Sequence, residues 1–215
     1  NVLRTRGSAN VHIYGNENGH IVFDGIKLQS ANTTFINTKV GDKFNLTYAD
    51  FKNMGLDGEF DLASSILSIA CDANISTVSF TNILQNLKDI PRQSQHNQTQ
   101  GIIHLSDEGE TVTQNIYNVQ FDNVDLSQQY TGHIYSWSRK AGSKLNIDKV
   151  SFTNSYLGGR GAIVLNDANG TYKGDVNITN STFSELIPNT TFTGLTGGAI
   201  FLKGYEGKLN IKNNV

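Results

Sequence analysis

The chain lacks several features that mark other classes of protein. Only one of its 215 residues is cysteine, Cys71, which excludes a framework of intrachain disulfides. Charged residues make up 17% of the chain, the formal net charge is -2 and no basic stripe occurs, which argues against nucleic acid as a partner. No apolar run reaches the length of a membrane span, so no membrane-spanning segment is expected.

Motifs for common enzyme chemistries are also missing. The chain has no HExxH motif and no second cysteine, so we expect no metal site. It has neither a Walker loop nor a dinucleotide-binding glycine motif, and its densest glycine cluster, at 157–161, leads into a strand pattern rather than a helix. No cofactor is therefore expected, and His20, His104 and His133 are expected to be ordinary surface histidines.

The chain does contain a repeat. An Asn followed by Ile or Leu recurs at intervals of 29, 41, 31, 31 and 33 positions. In each complete copy a Phe stands six residues after this Asn, and an Asn or Glu stands eight residues after it. The copies begin at Asn45, Asn74, Asn115, Asn146 and Asn177, with a shortened sixth at Asn210. A fixed period in this range predicts one structural unit stacked on itself.

Alternation within the repeat predicts strands. In 145–154 apolar residues occupy every second position of two short segments, which places them on one face. A second strand pattern precedes the copies, at 65–69, 101–105, 132–136, 161–165 and 198–202. Such units bury their apolar faces only when they stack, so the predicted fold is all-β, a right-handed parallel β-helix (β-solenoid) of about six coils of roughly 31 residues. A β-sandwich, the alternative, would not keep the same residue types in the same slots.

The repeat divides the chain into two parts. Residues 58–215 are expected to form regular β-helix coils. Residues 1–57 are expected to be degenerate or capping coils, because 19–21 and 35–37 look like repeat elements whose spacing does not match. Since the pattern opens and stops inside a repeat, we expect the chain to belong to a longer solenoid or to be a mature piece without its export signal.

Two interior positions follow from the pattern. The Asn that closes each Phe-x-Asn is expected on the inward side of a corner, where it takes left-handed dihedrals and hydrogen-bonds its counterparts above and below. This prediction concerns Asn53, Asn82, Asn123 and Asn154. Cys71 lies two residues beyond Ile69 and is expected to be a small buried apolar filler.

The Gly-Gly-Ala-Ile at 197–200, the Gly-Ala-Ile at 161–163 and the Phe-Thr-Asn at 152–154 carry a family resemblance. Together they resemble the repeats of polymorphic outer-membrane proteins and related adhesin-like β-helix proteins, over roughly residues 58–215. That family pairs Gly-Gly-Ala-Ile with Phe-x-x-Asn, whereas Phe and Asn are one residue closer here. The resemblance implies a cell-surface or secreted role in adhesion or surface architecture, and it brings no catalytic residues.

Eight Asn-x-Ser/Thr sequons occur in the sequence. They begin at Asn32, Asn45, Asn74, Asn97, Asn169, Asn177, Asn180 and Asn189. In a eukaryotic secretory protein several of them would be N-glycosylation sites. The alternative is that an Asn- and Thr-rich β-solenoid generates sequons by composition alone.

One outward column is a candidate interaction surface. Stacking places His104, Tyr135, Val164 and Phe201 in one column, with Trp137 two residues beyond Tyr135. An exposed aromatic and apolar strip of this kind marks an interaction surface, unless a loop folds over it. The insertion at 83–100 either adds a binding loop on one face or is simply disordered.

The sequence therefore predicts a non-enzymatic extracellular cell-surface protein, for adhesion or as a structural unit of a surface filament or coat. Its partners would be a surface glycan, a protein receptor or like subunits. The alternative is a carbohydrate-binding or pectate-lyase-like carbohydrate-cleaving β-helix, which needs clustered carboxylates. Asp122 and Asp148 align with no acidic residue in neighbouring coils, and Asp107, Glu108 and Glu110 fall in a turn that is expected to be solvated.

Overall fold

The structure is a computed structural model that describes residues 3–26, 34–55, 65–84, 101–127, 131–137, 139–166, 171–188 and 198–215. These residues form strands joined by turns, and none of them lies in a helix. Accordingly, the described residues include no helix that is long and apolar enough to cross a membrane. The strands in chain order are β1 (Leu3–Arg4), β2 (Asn10–Tyr14), β3 (Ile21–Asp24), β4 (Ile36–Asn37), β5 (Lys43–Met54), β6 (Leu67–Ile69), β7 (Asp72–Leu84), β8 (Ile103–Leu105), β9 (Thr113–Asp125), β10 (Ile134–Trp137), β11 (Lys144–Asp148), β12 (Ser151–Tyr156), β13 (Gly161–Asn166), β14 (Asp175–Thr179), β15 (Thr182–Ile187), β16 (Gly198–Lys203) and β17 (Leu209–Lys212).

Each strand pairs in parallel with the equivalent strand of the next coil. One sheet runs through β1, β4, β6, β8, β10, β13 and β16. The other runs through β2, β5, β7, β9, β11, β14 and β17, with β3, β12 and β15 continuing it around a bend. The stack makes about five turns of about 31 residues, which confirms the predicted parallel β-solenoid and is close to the expected six coils.

Single left-handed residues make the corners. The first corner of the long strands carries Tyr48, Thr77 and Asn118, with φ of 52–54°. The second carries the Asn of Phe-x-Asn, with φ of 53° at Asn53 and 48° at Asn154. Asn tolerates this region better than most residues, because its short polar side chain bonds locally. The predicted left-handed dihedrals are therefore confirmed.

The predicted inward position of these corner asparagines is wrong. Asn53 and Asn82 are half-buried, while Asn123 and Asn154 are exposed. The interior at this corner is filled by the apolar residues on either side, such as the fully buried Phe and Val that flank Asn123. The predicted amide-to-amide bonds form on the outside instead, with Asn82 Nδ2 donating to Asn53 Oδ1 (3.0 Å) and Asn123 Nδ2 to Asn82 Oδ1 (2.7 Å). They stop there, because Asn154 Nδ2 donates to the Asp122 carboxylate and not to Asn123.

A column of phenylalanines runs along the interior of the stack. Adjacent rings lie 4.8–5.1 Å apart between centroids, which follows the spacing of neighbouring strands. The planes of Phe121 and Phe152 are parallel, at 0°. The members are Phe23, Phe51, Phe80, Phe121, Phe152 and Phe183. Repeats that differ elsewhere keep this residue because each ring packs on the ring above and below.

Glycine recurs in the first sheet because coils meet closely there. A Cβ on Gly132 would lie 2.6 Å from the carbonyl oxygen of Gly161, and one on Gly161 would lie 2.1 Å from that of Gly198. Gly161 also has a φ of 115°, a backbone conformation that residues with a side chain rarely adopt. The Gly-x-Ile pattern is therefore explained by backbone contact between coils.

Residues 3–26 and 34–55 continue the same columns. Phe23 pairs with Phe51, His12 takes the Asn slot opposite Asn45, and Ile36 pairs with Leu67. The two strands of this first coil are further apart in sequence than in later coils, because a loop at 15–20 replaces the single corner residue. The strand that contains Phe23 therefore begins at Ile21. The unequal spacing thus reflects an insertion at one corner.

Candidate functional site

The predicted aromatic column exists, but most of it is covered. His104, Tyr135, Val164 and Phe201 stand opposite one another in successive coils, as expected. Tyr135 is only 3% exposed and Val164 is fully buried, while His104 and Phe201 are half-buried. The expectation of a continuous exposed strip is therefore wrong.

Polar contacts explain the burial of Tyr135. Its Oη accepts hydrogen bonds from Arg160 Nη1 (3.1 Å) and Asn166 Nδ2 (2.7 Å). The Arg160 guanidinium also lies over the ring of Phe201, 5.7 Å from its centroid. Trp137 stacks beside Tyr135, with 5.9 Å between the ring centroids, and its side chain is partly exposed to solvent. A role for His104, Tyr135, Trp137 and Phe201 in an interaction surface stays a prediction.

The second sheet carries a more regular outward column of side-chain amides. Asn74 Nδ2 donates to Asn45 Oδ1 (2.9 Å), and the next three steps of the column each measure 2.8 Å. A longer step of 3.4 Å ends it at Asn210. We call this column the amide ladder: Asn45, Asn74, Asn115, Asn146, Asn177 and Asn210. It lies on the surface, and its members are half-buried or exposed.

The amide ladder is uniform in direction. Every Nδ2 donates toward the preceding coil, so the amide dipoles align head to tail along the axis. An amide offers two N–H donors and two acceptor lone pairs, and the ladder uses one of each. Each Asn between the two ends of the ladder therefore keeps one further N–H donor and one further acceptor lone pair on the outer face of its coil.

A shallow groove of about 260 Å³ lies on this face. Its outward side chains come from three successive coils: Lys43, Asn45, Asp72, Asn74, Thr113 and Asn115. Strands β7 and β9 begin to pair only at Ala73 opposite Gln114, and the Thr113 N–H instead donates to Asp72 Oδ1 at 2.7 Å. The groove therefore lies at the end of the backbone pairing between β7 and β9.

An exposed aromatic residue stands beside the groove. Tyr117 follows Asn115 by two positions on the same outward face and is 42% exposed. The Lys149 Nζ donates to Tyr117 Oη (2.9 Å) and lies 5.1 Å from the ring centroid. This contact holds the ring in place while leaving much of it accessible.

The sequons separate into two groups. Asn45, Asn74 and Asn177 lie outward, as predicted, and their Nδ2 or Oδ1 atoms belong to the amide ladder. Asn180 is exposed at a corner, where its Nδ2 donates to Asp148 Oδ1 at 2.7 Å. The other sequons lie outside the described residues, at Asn32, Asn97, Asn169 and Asn189, as does 85–100 of the predicted insertion. N-glycosylation of these sites stays a prediction.

Outward carboxylates connect neighbouring coils. Asp148 Oδ1 accepts from Thr179 Oγ1 (2.8 Å) as well as from Asn180, and these hydrogen bonds lower the pKa of Asp148. Asp122 makes the same pair of contacts to the next coil, with Thr153 Oγ1 (3.0 Å) and Asn154 Nδ2 (2.9 Å). Both carboxylates therefore act as acceptors that hold the following corner.

Asp50 follows the same rule on an earlier coil. Burial acts to raise its pKa, but hydrogen bonds from Ser79 Oγ (2.6 Å) and His20 Nδ1 (3.1 Å) leave the pKa lowered overall. Its second oxygen lies 3.6 Å from Lys52 Nζ. His20 is on the surface, as expected, and is held there by this carboxylate.

Asp107 is not the solvated turn residue that the sequence suggests. It is 2% exposed, and its carboxylate accepts from the backbone N–H groups of Gly109 and Lys140 and from Ser143 Oγ. The expectation fails because residues of the next coil, more than thirty positions later, close over it. Glu108 and Glu110 are exposed, as predicted.

A second buried polar cluster lies between coils. The two N–H groups of Gln114 Nε2 are shared among the carbonyl oxygens of Ile69, Cys71 and Ser106 at 3.0–3.1 Å, and its Oε1 accepts from Arg139. Arg139 is 2% exposed and also donates from Nε to Ser136 Oγ at 3.0 Å. The Ser136 hydroxyl in turn bonds the buried hydroxyl of Tyr172 (2.8 Å). Sequence patterns miss this cluster because most of its contacts join residues 25–45 positions apart.

His133 lies in the core, so its predicted surface position is wrong. It is fully buried, and its ring centroid lies 5.4 Å from the ring centroids of both Phe121 and Phe152 in edge-on contacts. In the described part of the chain neither ring nitrogen has a hydrogen-bond partner. Burial lowers the pKa of His133 to about 3, because the charged imidazolium has lost its water.

The low pKa of His133 makes the stability of the fold depend on pH. Below the ordinary histidine pKa of 6.5, His133 binds a proton in the unfolded chain, whereas in the folded chain it stays neutral down to about pH 3. The free energy of unfolding is therefore expected to fall as the pH falls below 6.5. Replacing His133 with Leu removes this contribution. Between pH 7 and pH 4.5 the variant should gain about 2–3 kcal/mol relative to the parent. Urea unfolding at both pH values measures the gain. The control is His12→Leu at an exposed position, and an equal pH dependence in His133→Leu and the parent would refute the assignment.

Cys71 matches its prediction. It is 1% exposed, and its Sγ lies 3.3 Å from Thr38 Oγ1. Burial raises the pKa of the thiol to about 11, which keeps it protonated and unreactive at neutral pH. Cys71 is therefore a packing residue.

Comparison with known proteins gives no relative: no family model, no curated protein and no solved structure matches this chain. The resemblance to polymorphic outer-membrane proteins thus stays a prediction, and function has to be inferred from this chain's own geometry.

Proposed function

We propose that this chain is a non-enzymatic extracellular protein of the cell surface, which serves adhesion or forms a structural unit of a surface filament or coat. The observation that carries the proposal is the use of its outward polar groups. The asparagines of the amide ladder bond the same slot in the neighbouring coil, and Asp122 and Asp148 bond the following corner. Such contacts tie each coil to the next and give a regular, hydroxyl- and amide-rich surface.

The state of the outward carboxylates supports this proposal over carbohydrate cleavage. Glycoside hydrolysis uses a carboxylic acid whose pKa is raised so that it can donate a proton. Hydrogen bonds lower the pKa of Asp148. The pKa of Asp50 is also lowered, because its hydrogen bonds outweigh the effect of burial. Both groups are therefore suited to accept hydrogen bonds. The repeat resemblance to adhesin-like β-helix proteins agrees with a surface role.

A binding assay and a cleavage assay on the same preparation test the proposal. Labelled protein is incubated with intact cells and extracellular matrix, and separately with polygalacturonate and alginate. We expect retention on cells or matrix, and no release of reducing ends or unsaturated products. Release of such products that is lost in an Asp148→Asn or Asp122→Asn variant would contradict the proposal and favour the carbohydrate-cleaving alternative.

A further inference from the structure

From the geometry of the second sheet we infer a binding site for a neutral, hydroxyl-rich linear glycan on the amide ladder, centred on the groove between Lys43 and Thr113. The inference deepens the proposed surface role by naming a ligand class, and it rests on that role. It assigns recognition to the outward face of the Asn-Ile strands, which is distinct from the aromatic column around Tyr135.

The free hydrogen-bonding groups of the ladder suit hydroxyl groups. In the unglycosylated protein, Asn74 and Asn115 each keep one N–H and one acceptor lone pair after bonding their ladder neighbours. Asn45, whose Nδ2 contacts His12 Nδ1 at 3.4 Å, keeps the same pair of groups. A sugar hydroxyl both donates and accepts, so it can satisfy the two together. The ladder also fixes these side chains in the free protein, so little rotamer freedom is lost when a ligand binds.

The charges of the groove favour a neutral ligand. Its outward side chains include one cation, Lys43, and one anion, Asp72, which sit opposite each other on paired strands. A polyanion would gain at Lys43 and be repelled at Asp72, and a polycation would meet the reverse. The remaining side chains are three amides and the Thr113 hydroxyl. A neutral glycan avoids the repulsion and uses every group.

The shape of the groove favours a chain over a free small molecule. Its volume of about 260 Å³ is below the roughly 300–1,000 Å³ of pockets that enclose a drug-sized ligand. The ladder continues beyond the groove through Asn146 and Asn177 with the same 2.8 Å contacts. A linear ligand that lies along the solenoid axis would meet the same amide pair in every coil, about 4.8 Å apart.

Tyr117 supplies an apolar surface beside the amides. Its ring is 42% exposed and is held by the Lys149 contact. Sugar rings have apolar faces that pack on aromatic rings, while their rims carry the hydroxyls. The combination of a fixed aromatic ring with adjacent amide and hydroxyl groups therefore matches both parts of a sugar.

Affinity electrophoresis through gels that contain single polysaccharides tests the inference. The probes are an unsubstituted glucan, a mannan and a galactan, with polygalacturonate as the acidic comparison. We expect at least one neutral polysaccharide to retard the protein and polygalacturonate not to do so. A Thr113→Trp variant, which fills the groove from an exposed position, should bind at least tenfold more weakly.

Two further variants make the result specific. Gln120→Trp adds the same bulk at an exposed position of the same strand but on a different face, and it should bind like the parent. Asn74→Asp keeps the shape of a central ladder residue but removes its donors and adds charge, so it should also lose binding. Circular dichroism confirms that each variant is folded.

Three results would overturn the inference: no retardation by any neutral polysaccharide, retardation by polygalacturonate alone, or equal binding by Thr113→Trp and the parent. The proposed function fails separately. If the protein is retained on cells but ignores every polysaccharide, the surface role stands and the glycan site is wrong. If neither cells nor extracellular matrix retain it, the surface role fails whatever the gels show.

Discussion

Replacing Phe121 with Ala is expected to lower the free energy of unfolding by about 3–5 kcal/mol. The Phe121 side chain is fully buried and lies between Phe80 and Phe152, with ring centroids 5.0 and 5.1 Å away. Truncation removes both contacts and leaves a cavity that the paired strands cannot close, because each is held in register by the coils above and below. Denaturant unfolding followed by circular dichroism measures the loss.

An exposed aromatic residue provides the control for this prediction. Tyr14 is 72% exposed on the outward face of β2, so Tyr14→Ala should change stability by no more than about 0.5 kcal/mol. Equal effects of the two substitutions would show that Phe121 does not occupy a packed interior column.

Replacing Gln114 with Leu is expected to cost about 3–5 kcal/mol, although the substitution makes the residue more apolar. Gln114 is 1% exposed, and its amide serves three carbonyl oxygens and the Arg139 guanidinium together. With Leu at this position, the buried Arg139 guanidinium would lose one hydrogen-bond acceptor, and the three backbone carbonyls would lose their donor. Desolvated polar groups without partners cost more than the added apolar contact returns.

The same chemical change elsewhere in the same strand separates this effect from strand propensity. Gln120 is exposed, so Gln120→Leu should alter the unfolding free energy by at most about 0.5 kcal/mol. Unfolding curves of the two variants give the comparison. A Gln114→Leu protein as stable as the parent would mean that Gln114 makes no essential contact between coils.

The features that could be predicted from sequence are those that repeat in every coil. The Phe column, the Gly-x-Ile register and the outward Asn-Ile slot recur at fixed spacing, so stacking aligns them without further information. The left-handed corners at Asn53 and Asn154 follow from the same spacing and from the tolerance of Asn for this conformation.

The features that escaped prediction depend on contacts outside the repeat pattern. His133 and Ile134 are consecutive but both buried, because alternation breaks at the start of the first-sheet strands. There the carbonyl of His133 accepts from two successive N–H groups, those of Ile102 and Ile103, as at a β-bulge. Local alternation cannot reveal such a break.

Two further differences have similar causes. Asp107 has the sequence context of a solvated turn, yet Ser143 and Lys140 of the next coil close over it. Tyr135 occupies an outward slot, yet Arg160 and Asn166 cover its hydroxyl. In both cases the burial is decided by residues about 25–36 positions away that keep no fixed place in the repeat. The amide ladder could have been predicted, because its six Asn share one slot.

A double-mutant cycle on the phenylalanine column tests the central claim most directly, namely that equivalent side chains of successive coils lie one above another. Phe→Leu changes at Phe121 and Phe152 are measured singly and together, and again at Phe51 and Phe152, which are three coils apart. Stacking predicts a coupling energy of about 0.5–1.5 kcal/mol for Phe121 with Phe152, and additivity within about 0.5 kcal/mol for the distant pair. Additivity in the adjacent pair, or equal coupling in both pairs, would contradict the stacked solenoid.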